Sequence, residues 1–111
     1  MYRVHDQMLQ VDRAIKVLSP HLSQNEKIRT RFLAEARTMA RLRHPNIVGV
    51  FDVGMDGDAP FIVMEMIDGG SVMDWVNANG ALQAQVAAWI TIGLLKGLEQ
   101  AHENGIIHRD I

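Results

Sequence analysis

No cysteine occurs in the 111 residues, which excludes disulfide scaffolds, thiolate zinc sites and a cysteine nucleophile, and permits a reducing compartment. Charge of one sign is not in excess either. The formal net charge is -2, so bulk charge gives no argument for nucleic acid or an anionic membrane. Long hydrophobic runs are also missing: Val86 to Leu95 is the longest, half the roughly 20 residues that a spanning helix needs. The start, Met1-Tyr2-Arg3-Val4-His5-Asp6, is too polar for a signal peptide. No internal repeat and no low-complexity segment interrupts the chain. What is there is an ordinary balance, 48% hydrophobic and 22% charged, suited to one modest core or part of a larger one. The expectation is a soluble, cytoplasmic segment with no nucleic-acid partner and no membrane contact of its own.

Patterning divides the chain into strands first and helices later. Tyr2 to Asp6 and Val11 to Leu18 read as strands joined around Gln7 to Gln10. Ser23 with Glu26 three residues on has capping-box spacing and predicts a helix start. Its apolar stripe is Ile28, Phe32, Met39 and Leu42, and it ends before Pro45. Ile47 to Val53 and Phe61 to Met66 read as strands around a turn at Gly54 to Asp58. After the joint at Gly69-Gly70, Ser71 and Asp74 have cap spacing for a short helix ending near Asn79-Gly80. A long helix from about Gln83 to Glu103, apolar on nearly every side, is expected to be buried, with Trp75 and Trp89 in the core. This order predicts an α+β arrangement in two lobes meeting at Gly69-Gly70.

Glu35 is the oddity of the first long helix. Ile28, Phe32, Glu35, Met39 and Leu42 are spaced by 4, 3, 4 and 3 residues, which puts the carboxylate on the apolar stripe. A buried charge needs a partner. Lys16 is the candidate, since it shares a strand face with Ala14 and Leu18. The competing arrangement pairs Glu35 with Arg31 at i-4 on a solvated edge. Arg29, Arg31, Arg37, Arg41 and Arg43 make this helix basic, which reads as a solvated face. His5, His21, His44 and His102 have no metal-ligand spacing.

Ala14-Ile15-Lys16, Glu35, His44-Pro45-Asn46-Ile47-Val48, Met64-Glu65, Gly69-Gly70 and His108-Arg109-Asp110 follow one another in a particular order. That order resembles a eukaryotic-type serine/threonine protein kinase domain, its bacterial branch included. The resemblance runs over essentially the whole chain but only the first half or less of such a domain. It implies a protein-kinase-like α+β fold: an antiparallel N-lobe sheet plus one helix in residues 1–67, lacking the glycine-rich loop, then the hinge end and first C-lobe helices in 68–111. It also implies an ATP-dependent enzyme that phosphorylates protein serine or threonine hydroxyls, with ATP and Mg2+ as cofactors and a protein as substrate.

The resemblance assigns roles. Lys16 would contact the α- and β-phosphates, held by Glu35, and Asp110 would be the catalytic base. Met64 would stand behind the adenine as gatekeeper, and the Glu65 carbonyl and Ile67 amide would bond its edge. Ala14 and Val72 would sandwich the ring. Ser71 would meet the ribose or simply cap its helix. Arg109 would receive an activation-loop phosphate, and His108 would stack with Met39 and Val50. Asp110 could otherwise be a turn aspartate.

Departures qualify the picture. Arg13 stands where the family often has valine, on the strand face opposite Ala14. No glycine-rich loop precedes Tyr2, and the sequence includes neither the catalytic-loop asparagine nor a D-F-G aspartate. The magnesium ligands would therefore lie outside this chain, the ending would be a cut through the active site, and the 111 residues alone are expected to be inert. A non-catalytic pseudokinase or regulatory binding module is the alternative. A small-molecule phosphotransferase of the same fold is a third, against which Arg109 speaks.

Overall fold

Tyr2–Asp6 and Val11–Val17 form strands β1 and β2 of an antiparallel hairpin, with Tyr2 opposite Ile15 and Asp6 opposite Val11. The Asp6 carboxylate accepts the Met8 and Leu9 amides at 2.9 and 3.0 Å, which closes the turn. The computed structural model describes residues 1–109 and 111. Pro20–Ser23 makes a single helical turn, α1, and Glu26–Met39 forms α2. Val50–Asp56 and Ala59–Glu65 form β3 and β4, and the sheet order is β1-β2-β4-β3. Val72–Asn79 is α3 and Ala84–Glu103 is α4. The chain divides into two compact units, Met1–Met66 and Ile67–Ile111.

The first unit is built on which residues alternate onto the α2 side of the sheet. Ala14 lies opposite Met64, Lys16 opposite Ile62, and Val50 opposite Met64 on the other flank. Ala36, Val50 and Ile62 form the buried cluster, with Phe32, Ala40, Val53 and Met64 packed on it. The helix therefore meets the sheet along Phe32, Ala36 and Ala40, one residue per turn. This corrects the stripe expected from the large apolar residues, since Ile28 and Met39 are exposed. Ala36, with 0% exposure, has no bulk to hold helix and strands apart. Small residues set the contact here, and a pattern weighted toward large side chains points elsewhere.

Two boundaries also move. The cap of α2 is Asn25, whose side chain accepts the Lys27 and Ile28 amides at 3.1 and 3.3 Å. Ser23 ends α1 instead, buried, with its hydroxyl donating to the Pro20 carbonyl. The β3–β4 hairpin turns on Gly57-Asp58 alone, later than expected, with Gly57 at φ 59. Gly54 stays within β3 opposite Phe61, and glycine suits the position, since a Cβ there would fall 2.3 Å from the Phe61 Cζ. The phenyl ring lies across the glycine and covers the bare strand.

In the second unit α3 opens as expected from Ser71 and Asp74, and Gly80 at φ 87 closes it. Gly97 and Ala101 are the buried residues of α4. Trp89, expected in the core, is 76% exposed, and Trp75 is 48% exposed. An eight-residue α3 is the only other helix among the described residues of this unit, too short to cover a 20-residue helix that is apolar on nearly every side.

Removing the cap separates the two candidate helix starts. Asn25→Ala is expected to cost about 1 kcal/mol in chemical unfolding and to speed hydrogen exchange at the Lys27 and Ile28 amides. Ser23→Ala should leave both amides protected; the reverse pattern would place the cap at Ser23.

Candidate functional site

Antiparallel pairing with β4 orients the only lysine of β2. Strand alternation puts Lys16 and Ala14 on the α2 side, Ala14 6% exposed and Lys16 with its side chain open. Among the described residues Lys16 makes no ion pair. Met64 faces Ala14 across the strands, and Glu65 ends β4. Ala14 and Met64 are therefore paired near the Glu65 end of the β2–β4 ladder, and Lys16, opposite Ile62, shares their face toward the other end, while Glu65 projects from the opposite face.

Glu35 does not join them. Its Oε1 accepts from the Arg31 Nε at 3.0 Å, and both side chains are more than 60% exposed. The expected buried pair with Lys16 is replaced by the solvated i-4 pair. The reason is helical phase: Ala36 points into the sheet, so Glu35, about 100° away around the helix, reaches the rim. Such a pair is worth only about 0.3 kcal/mol, and arginine preceding glutamate is the weaker order. Glu35 is held loosely.

Glu65 is anchored more firmly. Its amide donates to the Gly49 carbonyl at 2.8 Å, and its Oε2 accepts the Gly49 amide at 3.1 Å. On the same outward face the Arg13 guanidinium lies 3.8 Å from the centre of the Phe51 ring. Neither contact was legible as a motif, because the bulge between Val50 and Asp52 decides where the ring goes.

In the second unit Ser71 and Val72 stand at the start of α3. The Ser71 hydroxyl accepts the Asp74 amide at 3.1 Å and donates to the Asp74 carboxylate at 2.8 Å, so capping occupies it. Ser71 and Val72 also border an open groove of about 460 Å³, lined further by Trp75, Val86 and Ile90. Arg109 is exposed with φ 69, a left-handed conformation that a side chain tolerates at a cost of order 1 kcal/mol. Ile67 is exposed after the end of β4. Asp110 lies outside the described residues. No three His, Asp or Glu side chains come together as a metal site among the described residues, and no helix there is long and apolar enough to cross a membrane.

The protein kinase domain family matches residues 1–111, and the chain belongs to that family. A probable serine/threonine-protein kinase of Clostridium perfringens is 45% identical over 98 residues, 88% of this chain and 14% of the relative. The serine/threonine-protein kinases PksC of Streptomyces coelicolor and PknB of Mycobacterium leprae are 43% and 40% identical; both matches take in 100% of this chain, but 21% and 19% of the relatives. The chain thus spans about a fifth or less of these proteins. Among solved structures, the PknI kinase domain of Mycobacterium tuberculosis matches with a TM-score of 0.84 at 30% identity, over 99% of this chain and 45% of that one. Rad53 in complex with AMP-PNP matches at 0.84 and 27% identity, over 98% of this chain and 28% of that one. The four-stranded antiparallel sheet with its helix is the kinase N-lobe, and the later helices begin the C-lobe.

The capping box has a pH signature. The Ser71 amide, then its hydroxyl, hold the Asp74 carboxyl below the ordinary aspartate range. With the folded value lowered, the stabilisation is present above the unfolded value and is lost as pH falls through the folded one. Carboxyl-carbon NMR should find Asp74 titrating below ordinary aspartates, with Ser71→Ala moving it part of the way back. Titration in the ordinary range in the wild-type chain would contradict the cap.

Proposed function

We propose that this chain contributes the ATP-facing lysine and the catalytic aspartate of an ATP-dependent protein serine/threonine kinase. In this reading residues 1–67 act as an N-lobe lacking its glycine-rich loop, and 68–111 as the hinge end and start of the C-lobe. The observation that carries it is Lys16: open, without an ion pair among the described residues, across from Ile62 and on the same strand face as the small Ala14, which Met64 faces. An ammonium so placed suits the α- and β-phosphates, because a fixed cation meets phosphate charge without reorganising. The weak Arg31–Glu35 pair leaves Glu35 free to exchange partners, and its transfer to Lys16 would hold the lysine for catalysis.

The adenine would lie against Ala14 and Val72, with Met64 behind it and its edge on the Glu65 carbonyl and Ile67 amide. Since the Ser71 hydroxyl is engaged by Asp74, a ribose contact would have to share it. Asp110 would orient the substrate hydroxyl and accept its proton, and Arg109 would pair with an activation-loop phosphate. Magnesium, when bound, supplies charge neutralisation to the phosphates, but the described residues do not make a site for it and no step is drawn through it. The substrate would be a protein, and the setting the cytoplasm.

A non-catalytic kinase-like binding module is the second reading, favoured by Glu35 pairing with Arg31 and not with Lys16. Phosphate transfer decides between them. With labelled ATP, the 111 residues alone should transfer nothing, since they include neither the loop asparagine nor the D-F-G aspartate. The same segment expressed within its full coding sequence should label serine or threonine, and Lys16→Met or Asp110→Asn should reduce this at least a hundredfold. Unchanged labelling in either variant would overturn the assignment; no labelling by the full product would favour the binding module.

A further inference from the structure

The outward face of the first unit carries a cluster that the family pattern does not supply. Arg13 and Glu65 are direct cross-strand partners on β2 and β4, so their side chains leave the same face. Each is drawn toward a different group near the start of β3. The guanidinium stacks over Phe51 at 3.8 Å from the ring centre. The carboxylate accepts the Gly49 amide at 3.1 Å, while the Glu65 amide donates to the Gly49 carbonyl at 2.8 Å. A Cβ placed on Gly49 would lie 3.8 Å from both the Glu65 Oε2 and the Phe51 Cζ. Ring and carboxylate therefore border the same spot.

The consequence is mechanical. β3 is irregular between Val50 and Asp52, so the ladder itself does not set the position of Phe51. Arg13 reaches across from β2 and pins the ring, and the ring and the Gly49 backbone flank Glu65. Three strands are thus fastened at the point where the chain leaves β4. A valine here, as the family often has, could touch neighbours but could not span β4 to place a cation on the ring.

We propose that Arg13 is a positioning residue for the adenine end of the nucleotide site: through Phe51 and Gly49 it fixes the end of β4, and so the Glu65 carbonyl that would meet the base. This rests on the kinase reading of the site. Arg13 touches no nucleotide in this account. It acts on the base and leaves the phosphates to Lys16, so its effect should be the same for adenosine and for ATP.

The test uses the 111-residue chain, with nucleotide affinity read by NMR titration and strand-end order by hydrogen exchange at the Gly49 and Glu65 amides. Arg13→Val is expected to speed exchange at both amides and to weaken adenosine and ATP alike by about two- to fivefold, the range for an exposed cation–π contact. Arg13→Lys should recover part of both effects. Phe51→Leu should match Arg13→Val, and the double variant should be no worse than either single one. Asn25→Ala, which loosens the fold elsewhere, should leave adenosine affinity unchanged and so separates positioning from general destabilisation. Faster exchange with unchanged affinity would overturn the positioning role and leave a structural clasp. Additive losses in the double variant would overturn the coupling. A wild-type chain that binds neither adenosine nor ATP would remove the nucleotide reading itself, while the exchange data would still report whether Arg13 fastens the strand end.

Discussion

The antiparallel pairing of β2 with β4 decides which side chains of the first unit can act together. It sets Ala14 against Met64 and Lys16 against Ile62, all on the side that α2 covers. A slip of one residue would turn Lys16 outward and bring Arg13 and Ile15 inward. Two features resist that slip. Ile62 is buried against Ala36, and the opposite face carries its own set, with Arg13 over Phe51 and Phe61 across Gly54. The register is thus specified from both sides of the sheet.

Magnitudes divide the contacts into fixed and exchangeable. The α2–sheet contact buries apolar surface at roughly 25 cal/mol per Å² and closes around an alanine with no exposure. The Arg31–Glu35 pair contributes only a few tenths of a kcal/mol in water. Lys16 therefore sits on a firm scaffold, whereas Glu35 is held by a pair that is easily exchanged. A buried Lys16–Glu35 pair would have been costly to break and would have fixed the lysine to one partner. In this structure the lysine stays open to an anion.

Much of this was legible in the sequence. The alternation of Val11 to Leu18 placed Ala14 and Lys16 on one strand face, and Ser71 with Asp74 marked the start of α3. Six short motifs in order pointed to the kinase family, to which the chain belongs. The large apolar residues Ile28, Phe32, Met39 and Leu42 leave Glu35 either inward toward Lys16 or outward toward Arg31; Phe32, Ala36 and Ala40 set the helix phase and turn it outward. Ser23 and Asn25 are both good caps, and only the single turn begun by Pro20 decides between them. The hydrophobicity around Trp89 suggests a core, but hydrophobicity does not say what covers it. The Arg13–Phe51 stack depends on a strand irregularity that no local pattern encodes.

The central claim is that Lys16, open on the Ala14 face, receives nucleotide phosphate. The most direct measurement compares ATP with adenosine binding in the wild-type chain and in Lys16→Met. The account predicts that the wild-type chain prefers ATP, that added salt weakens this preference, and that Lys16→Met abolishes it while binding adenosine as before. An undiminished preference for ATP in Lys16→Met would contradict it.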